Sequence, residues 1–198
     1  MSIYRRFFLP GRTFFFTVAL ADPSSDMLVR HVDVLRAAFA QTRAERPFAC
    51  DAMVVLPDHL HAIWTMPEGD ADFSTRIGAI KARFVMGLRR AGFSPPMDLP
   101  VVRSGRYAGL KPGLRRHKRE IGVWQRRFWE HCIRDEADYA MHLRYCWLNP
   151  VKHGYVEHAE AWPYSSVHRD VRLGRVHSDV SGSVPDGAFG EPDDVMRA

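Results

Sequence analysis

The stretch LPDHLHAIW, residues 56–64, sets His59 and His61 two positions apart in an apolar run. On a β-strand that spacing puts both imidazoles on one face, where they can share one metal ion. Hydrogen-bonded surface histidines fit the same spacing, so a metal reading needs further ligands close by. A second group lies in DEADYAMHLRYCWLNPVKHG, where Tyr145 and Asn149 stand four residues apart and His142 three before the tyrosine. In a helix all three share a face. Taken singly, Tyr139 and Tyr145 are ordinary core or rim residues. A phenol is a weak nucleophile at its usual pKa of about 10. It becomes competent beside a metal that grips a phosphate, and two imidazoles with an Asn carboxamide oxygen form a set able to hold one.

Periodicity supplies the elements that must carry these groups. TFFFTVAL, residues 13–20, reads as a buried strand closed by Asp22-Pro23. Ser24, Ser25 and Asp26 offer caps to a helix with Leu28, Val32, Leu35 and Phe39 on one side, running to about Thr42 before Pro47 stops the pattern. Residues 48–56 and 60–66 form a hairpin around Pro57-Asp58-His59. Asp72 or Ser74 caps a second helix with Ile77, Ile80, Phe84 and Leu88 as its buried stripe, ending near Gly92. Residues 123–133 alternate as a fourth strand, and Asp135 caps a last helix over 136–148 that Pro150 terminates. The order β-α-β-β-α-β-α predicts an α+β fold, a ferredoxin-like split βαβ antiparallel sheet with an added C-terminal helix.

The chain has 198 residues, 46% hydrophobic and 26% charged, enough for one domain with a real core. That domain is expected over residues 1–177, with a mobile basic insertion at about 92–122. Residues 178–198, rich in Gly, Ser, Pro and Asp, read as a disordered acidic tail. Cys50, Cys132 and Cys146 are isolated, which argues against a disulfide framework or cysteine zinc site and fits a reducing cytoplasm. No apolar run reaches membrane-helix length.

Net charge is only +5, yet residues 76–127 hold fourteen Lys/Arg against two acids while the remainder is acidic. Such segregation steers a polyanion, most simply a nucleic-acid backbone, although a solvated loop is the plainer reading. Candidate phosphate contacts are Arg5, Arg6, Arg83, Arg115, Arg116, Lys118, Arg119, Arg126 and Arg127. Trp124, Phe128 and Trp129 read as core rather than a base-stacking platform. The tail, near −4, is expected to compete with DNA for the basic surface as a tethered polyanion.

Several segments in order carry a resemblance: YRRFFLPGRTFFFTV, RPFACDAMVVLPDHLHAIWTMPEGDADFSTR, VWQRRFWEHCIRDEADY, YCWLNPVKHGYV and WPYSSVHRDV. Over nearly the whole chain to about Asp170 the sequence resembles the REP-associated tyrosine transposases, a branch of the single-strand-DNA HUH endonucleases (His, hydrophobic, His). The resemblance implies the HUH fold, His59 and His61 as metal ligands, Tyr145 as nucleophile and Asn149 as third ligand. It also implies Mg²⁺ or Mn²⁺ as cofactor, single-stranded or hairpin DNA bearing REP-like palindromes as partner, and a covalent 5′-phosphotyrosine intermediate. Residues 91–121 look longer than the matching connection in compact members, and Cys146-Trp147 departs from the usual pair after the tyrosine. Two other readings stay open: a non-catalytic binder of nucleic-acid hairpins, and a hydrolase in which the His pair activates water. Monomer and dimer are equally compatible.

Overall fold

The run TFFFTVA forms β1 (Thr13–Ala19), an inner strand of a four-stranded antiparallel sheet. Apart from Thr13 and Thr17 it is apolar, because both faces are covered. Phe14, Phe16 and Val18 point to one core and Phe15 to the other, as strand alternation requires. A computed structural model describes residues 9–92, 122–176 and 184–191. Arg5, Arg6, Arg115, Arg116, Lys118 and Arg119 lie outside the described residues, as do nearly all of the expected basic insertion and most of the expected tail.

After β1 come α1 (Met27–Arg30), α2 (Val32–Glu45), the hairpin of β2 (Ala49–Val55) and β3 (His59–Thr65), α3 (Phe73–Arg90), β4 (Trp129–Cys132), α4 (Glu136–Lys152) and α5 (Val167–Arg172). The sheet order is β2-β3-β1-β4, so β3 is threaded between β1 and β2, the split βαβ arrangement expected. Helices α2 and α3 cover the Phe14 and Phe16 face, with Trp64 and Phe73 filling that core. Helix α4 covers the opposite face through Tyr145 and Cys146. Each buried aromatic stabilises this sandwich by roughly 1.5–3 kcal/mol.

Four boundaries differ from the sequence pattern. The first helix breaks at His31, whose φ of −115° and ψ of 35° divide it into α1 and α2. The fourth strand is confined to Trp129–Cys132, because upstream of it Trp124 makes only an isolated bridge to Leu20. The last helix does not stop before Pro150; it runs to Lys152 with that proline inside it and buried. Finally, within residues 184–191, part of the segment expected to be disordered, residues 186–188 face outward while Phe189 and Gly190 are buried, Phe189 only 2% exposed. Their seat is an aromatic slot on the α4 face that a composition argument does not see.

Helices α3 and α4 start at the expected side-chain caps, whereas Asp26 makes no such bond ahead of α1. Asp72 accepts from Thr75 N at 3.0 Å and Asp135 from Asp138 N at 2.9 Å, each satisfying a first-turn amide. No helix among the described residues is long and apolar enough to cross a membrane.

Candidate active site

His59 opens β3 directly after the Pro57-Asp58 turn, and His61 follows on the same side of the strand. Both are buried and their rings lie 4.9 Å apart. Each is held through Nδ1. His59 Nδ1 faces Asp58 Oδ1 at 2.8 Å, so its N–H points at a carboxylate. His61 Nδ1 meets Thr17 Oγ1 at 2.8 Å, and that hydroxyl donates to Phe189 O at 2.5 Å, which makes His61 Nδ1 the donor to Thr17. The assigned tautomers therefore leave both Nε2 lone pairs aimed into the site, the arrangement second-shell partners give to metal-ligating histidines.

Helix α4 brings the other groups. Tyr145 is fully buried, with its ring 5.2 Å from that of His61. Asn149, one turn on, is also fully buried and donates Nδ2 to Glu191 Oε1 at 3.1 Å. The structure thus gathers His59, His61, Tyr145 and Asn149 at one place, at the ends of two elements on one face of the sheet.

Three further residues join them that the sequence reading did not assign. Glu191 faces His59 Nε2 at 3.3 Å, His61 Nε2 at 3.6 Å and His153 Nε2 at 3.4 Å, and it accepts from the Tyr145 hydroxyl. Lys152 Nζ lies 3.0 Å from both Glu191 Oε1 and the phenolic oxygen. A helical spacing count from Tyr145 would have found Lys152; Glu191 has no local signal beyond Phe189 and Gly190 beside it. Gly190 has a φ of 64° and passes against the Trp129 ring with no room for a Cβ.

Four buried lone-pair atoms have no hydrogen-bond partner here: His59 Nε2, His61 Nε2, Asn149 Oδ1 and Glu191 Oε2. Such orphans cost free energy unless a cation answers them. His59, His61 and Glu191 form a group with metal-ligand spacing, and the unpartnered Asn149 Oδ1 offers a fourth donor, the second oxygen. Burial pushes the His61 pKa down to about 4, so the ring is neutral at ordinary pH and its lone pair is available. Burial opposes the charged form of His59 too, but the Asp58 hydrogen bond and the Glu191 carboxylate 3.3 Å from Nε2 outweigh it and hold the pKa above the usual imidazole value, so that lone pair is free only on the neutral ring. Burial likewise resists the Glu191 carboxylate, yet the imidazoles of His153, His59 and His61 facing it hold its pKa below the usual range.

The remaining candidates are placed elsewhere. His142 stacks on His131, with ring centroids 4.6 Å apart, and its Nδ1 lies 2.8 Å from Asp138 O. Tyr139 is half-buried in the α4 core, and Asp51 and Asp170 act on it electrostatically. Arg83 sits on α3, across the sheet from the His pair, and is engaged by Thr42 Oγ1 at 2.6 Å and by Glu45. Arg126 and Arg127 are exposed just before β4. Trp124 and Phe128 pack against the α2–α3 core and Trp129 against the α4 core.

No protein-family profile matches the chain. Its sequence is 41% identical over 191 residues to the REP-associated tyrosine transposase of Escherichia coli, covering 96% of this chain and 98% of that protein. It is 40% identical over 186 residues to a Haemophilus influenzae protein given the same family name, covering 94% and 96%. A solved structure of a REP-associated tyrosine transposase bound to a REP hairpin superposes with a TM-score of 0.78 at 40% identity, over 96% of this chain and 98% of that one.

Proposed function

The chain belongs to the REP-associated tyrosine transposases, and from that footing we propose that it nicks and rejoins single-stranded DNA beside a hairpin through a covalent link to Tyr145. The observation that carries this reading is the convergence of four orphaned lone-pair atoms beside one buried phenol. His59, His61 and Asn149 would hold a divalent ion, Mg²⁺ or Mn²⁺. When bound, that ion supplies the positive charge which makes a phosphodiester electrophilic.

The residues of the chain do the rest. His61 packs edge-on against the Tyr145 ring and fixes its direction. Tyr145 oxygen attacks phosphorus, the bond to the 3′ oxygen breaks, and the product is a 5′-phosphotyrosine with a free 3′-OH. Attack by another 3′-OH reverses the step. Because the ester bond is exchanged rather than hydrolysed, no nucleotide cofactor is required. Glu191 occupies an anionic seat made by Lys152, His153 and Asn149, and a phosphate would compete for the same groups. The competition expected of the acidic tail would thus act through one carboxylate in a shaped site rather than through diffuse charge. A hairpin REP-like palindrome with a single-stranded flank is the proposed substrate, in keeping with the hairpin bound by the structural relative.

The test incubates the protein with such an oligonucleotide, with Mn²⁺, Mg²⁺ or EDTA, and resolves the products on a denaturing gel. A protein–DNA adduct with either metal and none in EDTA is expected. Hairpin binding without any adduct would identify a non-catalytic binder, and a cut without an adduct would identify a hydrolase.

A further inference from the structure

Lys152 stands on the stripe that carries Tyr145 and Asn149, seven residues beyond the phenol and two helical turns along. Its Nζ donates to the Tyr145 oxygen at 3.0 Å and lies 4.9 Å from the ring centroid, while the side chain remains 37% exposed. This reach exists only because α4 continues past its own proline. Pro150 has no N–H to give and its ring crowds the preceding turn, a cost of about 3 kcal/mol in a helix interior. A helix stopped at Leu148 would have taken Lys152 off the stripe.

The ligand atoms of the site are all acceptors, and nothing among them answers negative charge on the phenolic oxygen. Lys152 does so directly. Its second contact, to Glu191 at 3.0 Å, belongs to the docked tail. Its contact to Tyr145 lies within one helix, and the same Glu191 oxygen bridges the two groups, so the Glu191→Gln background below tests the pair without that bridge.

We infer that Lys152 is a catalytic residue whose ammonium hydrogen-bonds the Tyr145 oxygen as it attacks in cleavage and as it leaves in strand transfer. This rests on the nickase reading above. In cleavage the Tyr145 O–P bond forms as the P–O3′ bond breaks; the phenolic proton passes to water and the departing 3′ oxygen takes one from water. In strand transfer the incoming 3′-OH gives its proton to water, the Tyr145 O–P bond breaks and the phenol is reprotonated from water. Lys152 stays charged throughout, a preorganised donor at the atom where charge develops in both directions.

The test measures single-turnover adduct formation on a hairpin oligonucleotide with Mn²⁺ for wild type, Lys152→Met and Lys152→Arg. Each is also made in a Glu191→Gln background so that a loosened tail cannot mask the loss. The Met variant is expected to lose on the order of 100-fold in rate. Its Mn²⁺ affinity should stay within about threefold, rates are compared at saturating hairpin so that a lost phosphate contact is separated from the chemical step, and Arg should recover most of the rate because it keeps the donor. Lys152→Gln gives the same comparison should the Met variant lose hairpin affinity. A substrate with sulfur at the scissile 3′ position, a leaving group that needs no proton, should leave the deficit intact, because the defect lies on the nucleophile. Equal adduct rates for wild type and Met variant, or parity restored by the sulfur substrate, would overturn the inference. A wild type that forms no adduct would instead overturn the nickase reading itself.

Discussion

Tyr145 and Phe189 lie face to face, ring centroids 3.6 Å apart and planes 12° from parallel, so a residue 44 positions downstream covers one side of the candidate nucleophile. Backbone and charge reinforce that lid: Phe189 O accepts from Thr17 and Glu191 enters among the histidines. On the proposed reaction, DNA and this segment would compete for the phenol. Gly190→Ala should undock it, since the residue sits at a φ of 64° with Trp129 against its Cα. The expected result is faster adduct formation and new protease cleavage near residues 184–191, with hairpin affinity equal or tighter. Removing residues 184–198 should act in the same direction. Equal rates for all three proteins would show that the docked segment does not restrain the site.

The histidine tautomers depend on partners outside the ligand set. Asp58→Asn removes the charge that fixes the His59 tautomer and Thr17→Val frees the His61 Nδ1, while both imidazoles stay in place. Each is expected to weaken Mn²⁺ binding by roughly 10–100-fold, the usual effect of losing such a partner. Titration calorimetry with Mn²⁺ on the apo-protein measures this directly. Unchanged affinity would mean that the ion is held elsewhere.

Asp138 fastens the start of α4 to β4, meeting His131 Nε2 at 2.8 Å and Arg134 Nε at 3.0 Å. Burial works against its charge, but the hydrogen bonds from Arg134 and His131 prevail and hold its pKa below the usual carboxylate range. A depressed folded pKa contributes stability that is present above the unfolded value, near 4, and is lost as pH falls through the folded value. Asp138→Asn should therefore cost about 1–3 kcal/mol at pH 7. The gap should narrow as pH falls below 4. Urea melts at pH 7 and pH 3 supply both numbers, and a constant gap would contradict the assignment.

Phosphate contacts predicted from charge alone have their own signature. Neutralising Arg115, Arg116, Lys118 and Arg119 together should weaken binding to every hairpin sequence alike. On single-stranded DNA it should also flatten the salt dependence, by up to about 0.7 for each cation that had paired with a phosphate. An unchanged slope would make that cluster a solvated connector.

The placement of the candidate residues was legible where it was local. His59 and His61 on a strand, and Tyr145 and Asn149 on a helix, follow from periods of 2 and 3.6, and the sheet order follows from the alternation of strands and helices. Lys152 escaped because Pro150 reads as a stop, whereas tertiary packing of Trp147, Leu148 and Asn149 carries the helix through it. Glu191 escaped because its segment has no periodicity. Its order comes from one aromatic ring stacked on Tyr145 and one glycine passing Trp129, contacts that no window of sequence contains. Charge counting is also blind to partners distant in sequence: Arg83, counted toward DNA, pairs with Glu45 across the α2–α3 layer.

The most direct test of the account is the identity of the atom that joins DNA. Wild type and Tyr145→Phe are incubated with a hairpin oligonucleotide and Mn²⁺, digested with protease and nuclease, and mapped by mass spectrometry. The account predicts a nucleotide phosphate on Tyr145 of the wild type and no adduct from the Phe variant, which keeps the ring and should still bind the hairpin. An adduct that persists in Tyr145→Phe, or a phosphate carried by Tyr139, would contradict it.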